Sequence, residues 1–169
     1  MRDAVTIERV SKLHPKVRAE VAKLIDEAEA KFPKNMAVRV VQGLRTIAEQ
    51  NALYAQGRTK PGQIVTKAPG GKSFHNYGLA IDFAVLYDKD GNGSYDTLSW
   101  DVVADMDRDG QKDWMEVVAV FEKAGWVWGG RFKSIPDAPH FEKSFGYTVS
   151  QLLALYNAKK VDANGYVII

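Results

Sequence analysis

Leu13, Val17, Val21, Leu24, Ile25 and Ala28 recur every three to four positions, which predicts an amphipathic helix with Pro15 in its first turn. Pro33 ends it. Met36–Val41 is rich in β-branched residues and reads as a strand. Thr46 and Glu49 form a capping-box pattern, so a second helix starts just after Arg45 and runs to about Gln56. Residues 57–72 hold Pro-Gly and Gly-Gly turns and read as a long polar loop. Loops of that length in compact domains are often functional. Gly78–Leu86 is an apolar run with a single carboxylate, Asp82, and reads as a buried strand. Residues 88–113 are acidic and contain glycine. Trp114–Ala124 returns to helical spacing and stops at Gly125. Trp126 and Val127 begin another strand, Pro139–Glu142 forms a further one, and Thr148–Lys159 is a last amphipathic helix. The order α, β, α, β, α, β, β, α predicts an α+β fold with helices packed on an antiparallel sheet. No linker interrupts residues 1–169, so the expectation is one catalytic domain with an acidic insert at about 88–116.

Composition narrows the function. A chain of 169 residues with 46% apolar and 26% charged residues can bury a substantial core. A net charge of +2 is too mild to point to nucleic acid. There is no cysteine, so disulfides and thiolate metal sites are excluded. No apolar run approaches the roughly 20 residues of a membrane-spanning helix. The N-terminus MRDAVTIERV lacks the apolar core of a signal peptide.

Candidate chemistry gathers in SFHNYGLAIDF (73–83) and DAPHFE (137–142). A carboxylate inside LAIDFAV is costly to bury unless it is paired. The chain has three histidines, and two of them, His75 and His140, lie in these segments. With Asp82 they make a two-histidine, one-carboxylate set, which leaves one zinc position open, as hydrolytic sites require. Asp137, three residues before His140, is a candidate base for a water in that position. His14, before Pro15, has no such setting and is expected to be non-functional.

These segments resemble the SxHxxGxAxD and (D/E)xxH signatures of zinc peptidoglycan peptidases of the D,D-carboxypeptidase and L-alanyl-D-glutamate endopeptidase family, peptidase family M15. The wider group includes lysostaphin-type peptidases and Hedgehog domains. Ser73, His75, Gly78, Ala80 and Asp82 complete the first signature; Asp137 and His140 supply the second. VQGLRT (41–46), LYAQGRT (53–59) and GWVWGGRF (125–132) extend the likeness over most of residues 38–142. The resemblance implies a Hedgehog/D,D-peptidase-like fold and zinc held by His75, Asp82 and His140. It implies Asp137 as acid/base and Arg45 near the scissile carbonyl or a substrate carboxylate. Ser73 would be a hydrogen-bond donor to substrate or to the groups around the metal. Trp126 and Trp128 either line the substrate groove or are core aromatics of a strand. Family carboxypeptidases tend to carry Glu three residues before the second histidine. The endopeptidases often carry Asp after a Trp-Gly-Gly segment, and WGGRFKSIPDAPHFE sides with them.

DMDRDGQKDWME (105–116) matches the twelve-residue calcium-loop template. Asp105, Asp107 and Asp109 stand at positions 1, 3 and 5, Gly110 at 6, Asp113 at 9 and Glu116 at 12, while Gln111 would give a backbone carbonyl. Lys112 at position 8 is a mismatch. DKDGNGSYDTLS (88–99) places Asp88, Asp90, Asn92 and Asp96 similarly but ends in Ser99, without the bidentate ligand. The alternative is that Asp113 and Glu116 cap a helix and that DKDGNG is a turn.

The expected function is therefore a zinc endopeptidase cutting L-Ala–D-Glu bonds of bacterial peptidoglycan, with calcium as a second cofactor. It would act at the cell wall, secreted or released, for example as a phage endolysin or autolysin, and as a monomer. The alternatives are a D,D-carboxypeptidase and a non-catalytic wall- or calcium-binding module.

Overall fold

The computed structural model describes residues Met1–Ile169. Five helices and five strands follow in the order α1 (Ala4–Ser11), α2 (Pro15–Glu29), β1 (Met36–Gln42), α3 (Ile47–Ala55), β2 (Ala80–Tyr87), β3 (Thr97–Ser99), α4 (Asp113–Lys123), β4 (Val127–Trp128), β5 (His140–Glu142) and α5 (Val149–Asn157). Every strand pairing is antiparallel. β2 is the centre: β1 runs along one side, while β5 and β3 share the other, and β4 lies outside β5. The α+β expectation therefore holds.

Alternation along β2 divides its residues between two faces. Ile81, Phe83, Val85 and Tyr87 enter the hydrophobic core with Val17, Val21 and Ile25 of α2 and Trp114, Val117 and Phe121 of α4. Phe83 stacks on Phe141 of β5, which stacks on Phe121. Burying such aromatic side chains stabilises the sheet against its helices by about 1.5–3 kcal/mol each. The opposite set, Ala80, Asp82, Ala84 and Leu86, faces away from these aromatics, and only Asp82 among them is polar.

Helix α1 departs from the sequence expectation, which began the first helix near Leu13. Asp3 caps it by accepting from the Thr6 N–H. The helix then covers the outer edge of β1. Thr6 Oγ1 accepts from Val40 N–H at 2.9 Å and donates to the Val38 carbonyl at 3.1 Å. Arg9 reaches the Val40 carbonyl, and Glu29 of α2 accepts from Val38 N–H. Side chains thereby satisfy an edge that would otherwise offer unpaired backbone to another chain. The other departure is β3, a three-residue strand inside the acidic insert, paired with Val85–Tyr87.

Candidate metal centre and active site

Strand register builds the centre. β5 pairs with β2 so that His140 lies directly opposite Asp82, and directly opposed residues project to the same face. A register irregularity in β1 between Val40 and Gln42 sets Gln42 opposite Asp82 on the other side. His75 arrives on a single 3-10 turn, Phe74–Tyr77, just ahead of β2. Ser73 caps that turn by accepting from His75 N–H, and Asn76 reaches back to Ser73 N–H. Gly78 closes the turn in the left-handed conformation, with φ 65°. A Cβ there would stand 2.7 Å from the His14 backbone nitrogen, so the signature glycine is required by both backbone and space.

Three acceptor atoms converge at the end of these elements. His75 Nε2 lies 3.1 Å from Asp82 Oδ1, His140 Nδ1 lies 3.0 Å from the same oxygen, and the two nitrogens are 3.2 Å apart. The far side of each imidazole fixes its tautomer. His75 Nδ1 donates to the Gly43 carbonyl at 2.8 Å, so Nε2 keeps its lone pair. His140 Nε2 donates to Glu142 Oε2 at 3.0 Å, so Nδ1 keeps its own. Two lone pairs and a carboxylate therefore face one another, an arrangement that needs a positive charge between them. Tetrahedral bonds of about 2.0–2.1 Å set ligand atoms roughly 3.3 Å apart, close to the observed triangle. The residues fit zinc.

The ionisation of the group reflects the same demand. Burial alone would raise the Asp82 carboxyl, but its contacts with His140 and His75 outweigh that and hold it well below the usual carboxylate range. Burial alone would lower His140, yet the hydrogen bonds to Asp82 and Glu142 carry it up to about 9. Where no metal sits, a proton supplies the positive charge. The cradle thus attracts a cation through geometry and charge together.

Asp137 and Arg45 line the same open cleft of about 600 Å³ as the three ligands, with Ser73 and Trp100 on its walls. Asp137 is raised from its ordinary value, first by burial and then by the negative charge of Asp82. Its loop is held by the Gly129 carbonyl, which accepts from Asp137 N–H at 2.9 Å. A Cβ on Gly129 would meet the Asp137 carbonyl at 2.5 Å and the His140 Cβ at 2.9 Å. The glycine of the Trp-Gly-Gly segment is what lets this loop approach. Arg45 sends Nη2 to within 3.9 Å of Asp82 Oδ2 and donates through Nη1 to Gln50 Oε1. Its buried Nε has no partner.

Trp128 is absent from the cleft lining. Its indole N–H donates to the Ala138 carbonyl at 2.7 Å and its ring lies over Gly130, so it braces the Asp137 loop from behind. Trp126 is buried against Phe121. Trp100, from the acidic insert, is the tryptophan on the cleft wall. Gln50, Asn76 and Glu142 escaped the sequence reading. Gln50 is fully buried on α3, where it holds Arg45 and donates to the Ala68 carbonyl of the long polar loop. Asn76 donates to the Arg45 carbonyl. Glu142 was readable in principle, because it follows His140 by two positions on a strand and so shares its face. His14 also has a role: it caps α2 by accepting from Lys16 N–H, and its Nε2 meets the Val167 carbonyl.

The two acidic loops differ. Carboxylate oxygens of Asp105, Asp107 and Asp113 lie within 4.8 Å of one another, as do those of Asp107, Asp109 and Glu116. Gln111 uses its side chain to reach Asp109. In the first loop Asp88 spends both oxygens on the N–H groups of Gly91, Asn92 and Gly93. Asp90 accepts from Asn92, Asp96 accepts from Thr97, and these carboxylates do not converge. Its carboxylates bond the N–H groups of their own loop, as those of Asp105, Asp107 and Asp109 do in the second.

This fold, with two histidines and an aspartate at one end of an antiparallel sheet, defines a metallopeptidase-like centre, and the comparisons agree. Residues 66–143 match the family model described as D-alanyl-D-alanine carboxypeptidase. The peptidoglycan L-alanyl-D-glutamate endopeptidase CwlK of Bacillus subtilis (strain 168) is 46% identical over 132 residues, 78% of this chain and 74% of that protein. The crystal structure of the Serratia marcescens L-Ala D-Glu endopeptidase ChiX shares the fold, with a TM-score of 0.50 and 22% identity, over 84% of this chain and 88% of that one. The chain belongs to peptidase family M15, whose members are zinc-dependent.

Proposed function

We propose that this protein is a zinc peptidase of bacterial peptidoglycan that hydrolyses the amide between L-alanine and D-glutamate. The observation that carries the reading is the triangle of His75, Asp82 and His140, each imidazole held on its far nitrogen by Gly43 or Glu142, at the floor of a cleft that also holds Asp137 and Arg45. The identity to CwlK supports the choice of bond, as does an aspartate at position 137. All five residues come from one chain, so the site is complete in a monomer. Work on peptidoglycan places the protein at the cell wall.

His75, Asp82 and His140 would hold the zinc, which when bound supplies a Lewis acid for the scissile carbonyl and lowers the pKa of water. Asp137 takes a proton from the attacking water and delivers it to the leaving amine. Burial and the nearby Asp82 charge raise Asp137, which makes its protonated form accessible for the second transfer. Arg45 keeps a fixed positive charge beside the reacting carbonyl, and its hydrogen bond to Gln50 sets its direction before substrate arrives. Gly43 and Glu142 hold the imidazoles so that no ligand turns away during turnover. Ser73 and Trp100 on the walls contact the stem peptide.

The test is digestion of purified peptidoglycan by zinc-loaded protein, with the released peptides read by mass spectrometry. New L-Ala carboxyl ends and D-Glu amino ends are expected, and Asp137→Ala should abolish them while leaving the bound zinc in place. Release of single D-Ala residues would instead make it a D,D-carboxypeptidase. An Asp137→Ala variant of full activity would remove that residue from the mechanism.

A further inference from the structure

Outside the cleft, the strongest unexplained group of side chains sits where the insert meets α4. Asp105, Asp107 and Asp109 approach from the insert, and Asp113 and Glu116 from the first turn of α4. No lysine or arginine lies within ion-pair distance of the four aspartates, and Lys31 stands 3.6 Å from Glu116, too far for a hydrogen bond. Exposed carboxylates tolerate such crowding in water, and that of Asp109 is exposed. Glu116 is different. It is 4% exposed, makes no hydrogen bond, and its Oε2 is sealed from solvent without a partner. Asp113 is 1% exposed; its Oδ2 accepts from Tyr87 and from Met106 N–H, yet its Oδ1 is likewise buried and unpartnered. A buried carboxylate oxygen with no donor is destabilising. Here two of them belong to residues whose acceptor atoms stand within 4.8 Å of further carboxylates. Burial first and then the neighbouring Asp109 raise Glu116, and the single ion pair with Lys31 offsets this only in part.

We propose that residues 105–116 form a calcium site that ties the acidic insert to the start of α4. The ligand chemistry is hard oxygen only, which suits calcium or magnesium rather than a transition metal. Position selects calcium. The carboxylates fall at positions 1, 3, 5, 9 and 12 of the loop, and a glutamate at 12 that can give both oxygens suits the six to eight ligands of calcium. Magnesium demands about six in a tight octahedron and keeps its waters. Access is open: Asp107 and Asp109 border a surface cleft of about 680 Å³ together with Lys31, Tyr87, Asp88 and Met106. The ion would link the aspartates of the insert to Asp113, which Tyr87 already joins to the end of β2. Nothing in the site shares a residue with the zinc cradle.

The experiment uses the full chain loaded with one equivalent of zinc and freed of other metals. Calcium is titrated by calorimetry, and terbium is titrated by emission excited through Tyr87, whose hydroxyl adjoins Asp113. One calcium per chain, displacement of terbium by calcium, and a rise of several degrees in Tm are expected. Glu116→Gln, which removes the buried charge and keeps the shape, should weaken calcium at least tenfold. Asp107→Asn, on the partly exposed side, should do the same if Glu116→Gln folds poorly. Absence of calcium binding up to millimolar concentration, binding untouched by either substitution, or equal affinity for magnesium would each overturn the assignment. The readout is binding, so its failure is distinct from a failure to cleave peptidoglycan.

Discussion

Glu142 decides which nitrogen of His140 faces the cleft. By accepting from Nε2 it leaves Nδ1 free beside Asp82. Glu142→Gln keeps the side-chain length but offers an amide that can turn its donor toward Nε2, so the tautomer is no longer fixed. Zinc affinity is expected to fall about 10–100-fold, measured by competition with a chromophoric chelator, with activity recovering in excess zinc. An unchanged affinity would mean that the strand alone orients the imidazole. At this scale the sequence marked the candidate ligands and hid their supports. His75, Asp82 and Asp137–His140 lie in short motifs whose residue types announce metal chemistry. The Gly43 carbonyl, 32 residues from His75, and Gln50 beneath Arg45 are brought in by tertiary packing, which no local pattern encodes.

Elements with a strong apolar period or a clear cap were legible to within a residue or two: α4, α5 and β2 by their apolar residues and α3 by its capping box all fall close to their expected ranges. Helix α1 was missed because much of its contact with the fold is polar. Thr6 and Arg9 bond the edge of β1 where a period of buried apolar residues would otherwise run. Thr6→Val tests that role: the shape is kept while Val40 N–H and the Val38 carbonyl lose their partner. The fold should lose about 1–3 kcal/mol in chemical denaturation, with zinc binding unaltered; a loss near zero would show that water or the strand itself replaces the hydroxyl. The turn between β4 and β5 works differently. Gly129→Ala places a methyl against the Asp137 carbonyl and the His140 Cβ. The backbone of the loop must move at Asp137, the proposed acid/base. Activity should therefore drop by about tenfold or more while Tm falls only slightly. Equal fractional losses of zinc affinity and activity would locate the damage at the metal instead.

At the scale of the molecule, His14 joins parts that the sequence kept far apart. Its backbone N–H donates to the Gly78 carbonyl, so the start of α2 is fastened to the turn that carries His75. Its ring accepts from Lys16 N–H through Nδ1 and donates from Nε2 to the Val167 carbonyl, which pins the C-terminal tail. The bond to Val167 suits either form of the ring, but acceptance at Nδ1 requires the neutral imidazole, and a proton there would remove the helix cap. Burial lowers this histidine from its ordinary value, the hydrogen bond to Val167 offsetting only part of the effect. The sign follows from linkage. In the unfolded chain the ring titrates near about 6.5, and in the folded protein below that, so the unfolded state binds more protons as pH falls. The contribution of His14 to stability is therefore fully present above about pH 7 and is lost as pH falls below about 6.5 toward the lower folded value. His14→Asn keeps a capping side chain that does not titrate. The difference in Tm between wild type and His14→Asn, both zinc-loaded, should be level from pH 7 to 8. It should shift against the wild type below about pH 6.5. The two other histidines are common to both proteins and cancel in the difference, so a level difference throughout would mean that the buried ring accepts its proton without breaking the cap.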